Sequence, residues 1–310
     1  GHRSERGPIT TGGIPMSVNR RDFLKLAGVT GCSLLAGAPR RSEAAMTSIE
    51  FYGLLVDTTK CIGCRSCEEA CNDKNGLPKP EVSFSSDSVF EKKRDTSPGA
   101  FTVLNRYPNA KNPDSPVFVR RQCLHCCQPA CASACLTKAM EKTVEGPVIY
   151  HKDRCMGCRY CMIACPHDIP KFEYGSAFPY IRKCIFCYER LKAGERPACV
   201  DACPENASLF GTRRELLEIA RTRICENPDK YVHHVYGEHE VGGSGTMYLS
   251  AVPFEKLGFR TDLGTTPYPE HTSGFLYGVP LVFVLWPSFL IGLNYLAENG
   301  NKGKNHEKEE

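Results

Sequence analysis

Sixteen cysteines fall into four short runs. The first is Cys61, Cys64, Cys67 and Cys71, in KCIGCRSCEEAC, and the second is Cys123, Cys126, Cys131 and Cys135. The third is Cys155, Cys158, Cys161 and Cys165, followed by Pro166; the fourth is Cys184, Cys187, Cys199 and Cys203, followed by Pro204. Runs one and three share the C-x2-C-x2-C-x3-C spacing that holds [4Fe–4S] cubes. A cube takes one thiolate per iron. Three cysteines so spaced let a tight loop wrap one corner, while the fourth, a helical turn further on, points away and ligates a neighbouring cube. The sixteen cysteines therefore predict four [4Fe–4S] clusters. Zinc sites usually join two separated C-x2-C pairs into one tetrahedron, a pattern that a triplet overfills. A disulfide framework suits small secreted domains without a core, and the 19 cysteines of this 310-residue chain are odd in number. Cys32, Cys127 and Cys225 are left over. Cys127 could replace Cys126 as a ligand, but Cys123 and Cys126 align with Cys184 and Cys187.

The runs repeat. Cys61 and Cys155 are 94 residues apart, as are Cys71 and Cys165. CLHC…PACASAC of run two matches CIFC…PACVDAC of run four, with seven extra residues inside the latter. Such self-similarity predicts two similar halves, each lending ligands to the other. Cations sit beside the runs. Nearby positive charge and backbone N–H groups raise a cluster's potential. For Arg65 and Arg159, inside runs one and three, that role and a solvated surface charge stand level; for Lys60, Arg121, Arg154 and Lys183 the solvated reading is preferred. His125 lies within run two but has four cysteines around it, so it is read as no ligand. His167, His233 and His234 suit structure or surface.

Around these ligands the elements read as short strand, cluster loop, short helix, repeated. Strands are expected at Gly53 to Val56, Val148 to Tyr150 and Val117 to Arg121, with another within Phe101 to Tyr107. A helix is expected at Arg213 to Ile224. The sum is an α+β fold of duplicated bacterial-ferredoxin-like (dicluster) domains with inserted loops. Residues 77–116, rich in Pro, Ser and Asp, form a long insertion that reads as a binding loop or a disordered one. A formal charge of +4 is too small and scattered to argue for nucleic acid. No nucleotide-binding glycine motif or catalytic dyad stands out, so no catalytic residue is assigned.

The two ends read as addresses. From Met16, MSVNRRDFLKLAGVTGCSLLAGA has paired arginines, an apolar Gly/Ala-rich run and, at Ser42 to Ala44, a small-x-small cleavage site. Residues 16–45 are expected to be a twin-arginine signal, and residues 1–15 an upstream or added segment. Near the other end Phe275 to Ala297 carries no charge. As a helix it reaches about 34 Å, enough to cross the hydrocarbon of a bilayer. The expected order is a tetracluster domain at 46–272, one C-terminal transmembrane helix at 273–297 and a cytoplasmic tail at 298–310.

In this order and spacing, the four runs resemble the four-cluster iron–sulfur subunits of bacterial respiratory complexes. CMGCRYCMIACPHDIPKFEY around run three, SAVPFEK later, the twin-arginine signal and the single C-terminal span look most like the hydrogenase-2-type subunit. The formate dehydrogenase beta subunit is similar, and a polysulfide- or thiosulfate-reductase partner set is a further alternative. The resemblance implies a periplasmic electron-transfer subunit, itself non-catalytic. It would lie against the bacterial inner membrane, between a catalytic subunit of hydrogenase or molybdopterin type and an integral quinone-reactive subunit. It also implies ligand sets: Cys61, Cys64 and Cys67 with Cys203; Cys184, Cys187 and Cys199 with Cys71; Cys123, Cys126 and Cys131 with Cys165; and Cys155, Cys158 and Cys161 with Cys135.

Overall fold

The computed structural model describes residues 50–109, 112 and 115–306, with side chains described as far as residue 297. The expected signal segment lies outside the described residues. The first half contains β1 (Tyr52–Asp57), α1 (Ser66–Lys74), β2 (Val103–Tyr107), β3 (Val117–Arg121) and α2 (Ala130–Ser133). Then come β4 (Met140–Lys142), β5 (Val148–Tyr150), α3 (Tyr160–Ile163), β6 (Lys171–Phe172), β7 (Ile181–Arg182), α4 (Tyr188–Lys192) and α5 (Ala198–Asp201). The chain closes with β8 (Ser208–Thr212), α6 (Arg213–Glu226), β9 (Thr246–Leu249) and α7 (Tyr268–His306). This is the mixed helix and strand content expected.

β1 is buried on both faces, which its apolar run YGLLVD allows. It pairs antiparallel with β8 and parallel with β9. Its side chains alternate in destination, as a strand requires. Leu55 packs on Leu216, Leu217 and Ala220 of α6, whereas Leu54 lies with Phe186 and Cys199. Gly53 lets β9 approach: a Cβ there would stand 2.6 Å from the carbonyl oxygen of Gly245. α6 starts at a capping box, in which the Glu215 N–H donates to Thr212 Oγ1 and the Thr212 N–H donates to Glu215 Oε2.

Three antiparallel pairs, β2–β3, β4–β5 and β6–β7, stand outside this sheet as separate ladders. The insertion is folded over its described length rather than disordered. A 3₁₀ turn spans Asp87–Glu91, and β2 belongs to the insertion. What orders it is a buried carboxylate. Glu68 of α1 accepts from Arg65, from both Nη atoms of Arg94 and from the Leu104 N–H. Arg65 in turn donates to the Ser83 and Ser86 carbonyls.

α7 leaves the domain close to α2, where Gln128 Nε2 donates to Glu270 Oε1 at 3.0 Å. Gly242 permits the approach, since any Cβ there would meet Pro267 at 2.3 Å. Beyond that start the helix is long and apolar enough to cross a membrane: over Tyr268–Ala297 the mean hydropathy of its best window is 1.9 and none of that window is buried. Pro280 and Pro287 lie inside it.

Candidate iron–sulfur sites

The tight loops of runs one and three close through left-handed backbone. Gly63 and Gly157 have φ of 83° and 75°, and Arg65 and Arg159 have φ of 63° and 62° just before α1 and α3. Gly63 is required twice over, because a Cβ would also strike the Phe118 ring at 2.6 Å. Runs two and four turn at His125 and Phe186, then enter α2 and α5 behind Pro129 and Pro197. Both leave through left-handed residues, Lys138 and Asn206. The next N–H then reaches back to the last sulfur: Ala139 donates to Cys135 at 3.2 Å, and Ala207 to Cys203 at 3.3 Å.

These loops gather the sulfurs in fours. Cys61, Cys64, Cys67 and Cys203 line one cavity, here called A. Cys71, Cys184, Cys187 and Cys199 line a second, B. Cys135, Cys155, Cys158 and Cys161 line another, D. The remaining four, Cys123, Cys126, Cys131 and Cys165, crowd one another at a site called C. Cys127 also neighbours Cys126, but its sulfur lies beside Gly243 and acts on neither Cys131 nor Cys165. Each four is the combination that the family resemblance implies.

The sites form a row. α1 carries Cys67 to A and Cys71, one turn on, to B, while α5 carries Cys199 to B and Cys203, just past its end, reaches A. α2 and α3 link C and D in the same way, through Cys131 with Cys135 and Cys161 with Cys165. B and C meet at Lys183 and His125: Lys183 Nζ donates to the Cys184 carbonyl at 2.9 Å and lies 4.0 Å from Cys123 Sγ. The order is A, B, C, D. At its ends Cys64 and Cys158 are exposed; no cysteine of B or C is.

The donor sets fit cubes. None of the eighteen described cysteines is in a disulfide. Among the described residues no three His, Cys, Asp or Glu side chains converge as one ion would need. Four sulfurs around a space suit one iron per thiolate, not a single tetrahedral zinc. Without iron, burial pushes the thiols of Cys67, Cys71 and Cys131 up to about 12, and neighbouring thiols act in the same direction. They become thiolates by exchanging protons for iron. Cys135 goes the other way: against burial, N–H groups of Met140 and Ala139 and the Thr137 hydroxyl hold it below its ordinary value.

The cations divide unexpectedly. Lys183 is 3% exposed, not a solvated charge. Its stem is covered while its ammonium meets the Val148 and Cys184 carbonyls. Arg65 is as deeply buried, but its guanidinium serves Glu68 and the insertion. Arg159 lies over the Phe172 ring at the surface, and Arg121 pairs with Asp95. His125 joins no set of four, yet it faces one. Its Nδ1 accepts from the Val148 N–H at 2.9 Å, so the proton sits on Nε2, which points at Cys184 Sγ at 3.5 Å. Burial, then Lys183 and Lys142, hold its pKa well below the ordinary value and keep it neutral. Sequence reasoning missed Arg120 and Gln122, both buried on the run of β3 into Cys123. Strand alternation was the available signal, because Phe118, Arg120 and Gln122 share the face that meets Gly63 of run one.

Comparison with known proteins matches two models described as 4Fe-4S dicluster domains, over residues 60–139 and 115–213. A protein of Nitratidesulfovibrio vulgaris is 46% identical over 92% of this chain and 78% of its own length. The hydrogenase-2 operon protein HybA of Escherichia coli O157:H7 is 33% identical over 94% of this chain and 98% of its own. The nitrate-inducible formate dehydrogenase iron–sulfur subunit of Escherichia coli K12 is 34% identical over 63% of this chain and 66% of its own.

Proposed function

This chain belongs to the 4Fe-4S dicluster family that includes HybA and the formate dehydrogenase iron–sulfur subunits, and from that premise we propose that it relays electrons between a periplasmic hydrogenase and a membrane quinone-reactive subunit. It is an iron–sulfur electron-transfer subunit with four [4Fe–4S] clusters. The ligand sets are assigned as sites A to D, two in each pair of runs, from a duplicated ferredoxin-like domain. Bound clusters supply one-electron carriers held at fixed positions. The chain's own residues do the rest. The helices α1, α5, α2 and α3 hold adjacent sites one turn apart, and apolar side chains such as Leu54 and Phe186 keep water from B.

The observation that carries the reading is the row itself, closed in the middle and open at both ends, at Cys64 and Cys158. A stabilising cluster needs no such exits; a relay needs two. α7 begins beside α2, which serves C and D, so D is assigned to the membrane end and A to the catalytic end. On this reading residues 16–45 export the folded domain, residues 46–272 form it, 273–297 span the inner membrane and 298–310 remain in the cytoplasm.

The partner is identified by isolating the tagged chain from membranes and measuring metals. Nickel together with about sixteen irons in this chain supports the hydrogenase assignment. Molybdenum or tungsten would replace it with the formate dehydrogenase or polysulfide-reductase alternative. A chain that copurifies with neither, yet reduces quinone unaided, would overturn the relay.

A further inference from the structure

Arg120 is a buried cation without a carboxylate to explain it. It is 3% exposed, and among the described residues its Nε and Nη2 find no hydrogen-bond partner. Arg120 lines cavity A. Against burial, the groups that act on it are the thiols of Cys199, from site B, and Cys67, from site A, then the Tyr248 phenol and the Cys61 thiol of site A. Cys71 of site B also feels it. Gln122, two residues on along the same face, lines cavity B, and both its side-chain polar atoms are unpartnered among the described residues.

A buried guanidinium left unpaired costs several kcal/mol. Evolution of a fold tolerates that only where a counter-charge arrives. A cube held by four thiolates is anionic, and it gains another negative charge on reduction. We infer that Arg120 is a positioning residue that stands between clusters A and B, neutralises both and raises their reduction potentials above what their ligands alone would give. An arginine suits the place, since it stays charged at any working pH and offers donors toward both sides. Because the guanidinium is out of water, its field on the two cubes is weakly screened. C and D lie further along the row, beyond Lys183, which stands where B meets C. Arg120 therefore makes A and B a matched pair, distinct from C and D. This rests on the ligand sets proposed above.

The test is a potentiometric EPR titration of the full chain in its complex, for the wild type, Arg120→Met and Arg120→Lys, with iron counted in each. Arg120→Met is expected to make one-electron reduction of two of the four clusters about tenfold less favourable, about 59 mV lower, and leave the other two in place. Arg120→Lys keeps the charge and is expected to keep the potentials. Should Arg120→Met lose iron while Arg120→Lys retains it with near-native potentials, the charge is again what matters. Unchanged potentials in Arg120→Met, an equal shift of all four, or iron loss in both variants would overturn the inference. An error in the ligand sets has a different signature: the wild type itself would bind other than about sixteen irons.

Discussion

At the residue scale, sulfur positions were legible and their surroundings were not. Spacing names thiolates because three cysteines per loop is a local geometric demand. Cys126 and Cys127 are a case where alignment of the runs decided, and the structure places Cys126 among the site C sulfurs. Cys126→Ser is accordingly expected to remove about four irons, and Cys127→Ser none, by iron analysis of the purified chain. The neighbours of those sulfurs come from elsewhere in the chain, so spacing is silent about them. Lys142 illustrates this. It lies over Phe51 and donates to the carbonyls of His125 and Gly146, and burial pulls its pKa down to about 8 from 10.5. Below pH 8 both folded and unfolded chains carry the proton. Between 8 and 10.5 the unfolded chain holds the proton more tightly, so stability rises with pH across that window, by about 3 kcal/mol at most. Urea melts of wild type and Lys142→Met at pH 7 and pH 10 measure it. The wild type should gain on the variant at the higher pH, and parallel curves would contradict the assignment.

At the element scale, β1, β3, β5 and α6 were visible because apolar runs and helical periodicity are written within a few residues. Of the insertion, β2 was expected within Phe101 to Tyr107, but the order of the rest was not. Its sequence is polar and rich in turn residues, which reads as a loop when taken alone. Order comes from Glu68, outside the segment, whose carboxylate ties Arg94 and the start of β2 to α1. No local pattern can announce a partner 36 residues away. Glu68→Ala would leave Arg65 buried without its counter-charge, a loss of about 3–5 kcal/mol. The expected result is faster proteolytic cleavage within residues 77–102 and a lower denaturation midpoint, with the sulfurs of C and D unaffected. Thr212→Ala, by contrast, removes only the cap of α6, for about 1 kcal/mol. If the Glu68 change cost no more than that, the insertion would be held by something else.

At the scale of the whole molecule, the proposed direction of the row makes its two ends separable. Cys64 belongs to A and Cys158 to D, and both are exposed, so serine at either should perturb one site without disturbing the packed middle. Their consequences should differ. In the complex with its hydrogenase, Cys158→Ser interrupts the exit: hydrogen should still reduce A, B and C, seen by EPR, while the quinone pool stays oxidised. Cys64→Ser interrupts the entry, so hydrogen should reduce none of B, C and D, although dithionite reduces them all. α7 supplies an independent check on the same polarity. A chain ending at Thr272 keeps every cysteine of the four sites but loses the apolar length that none of the domain covers. It should bind about sixteen irons and leave the membrane fraction. Electrons entering at A would then reach D and stop, because the helix beside α2 no longer holds D against the quinone subunit. Were the two serine variants to show the reverse pattern, with hydrogen reducing B, C and D in Cys64→Ser but not A, B and C in Cys158→Ser, the row would run the other way, and the place where α7 leaves the domain would carry no information about the membrane end.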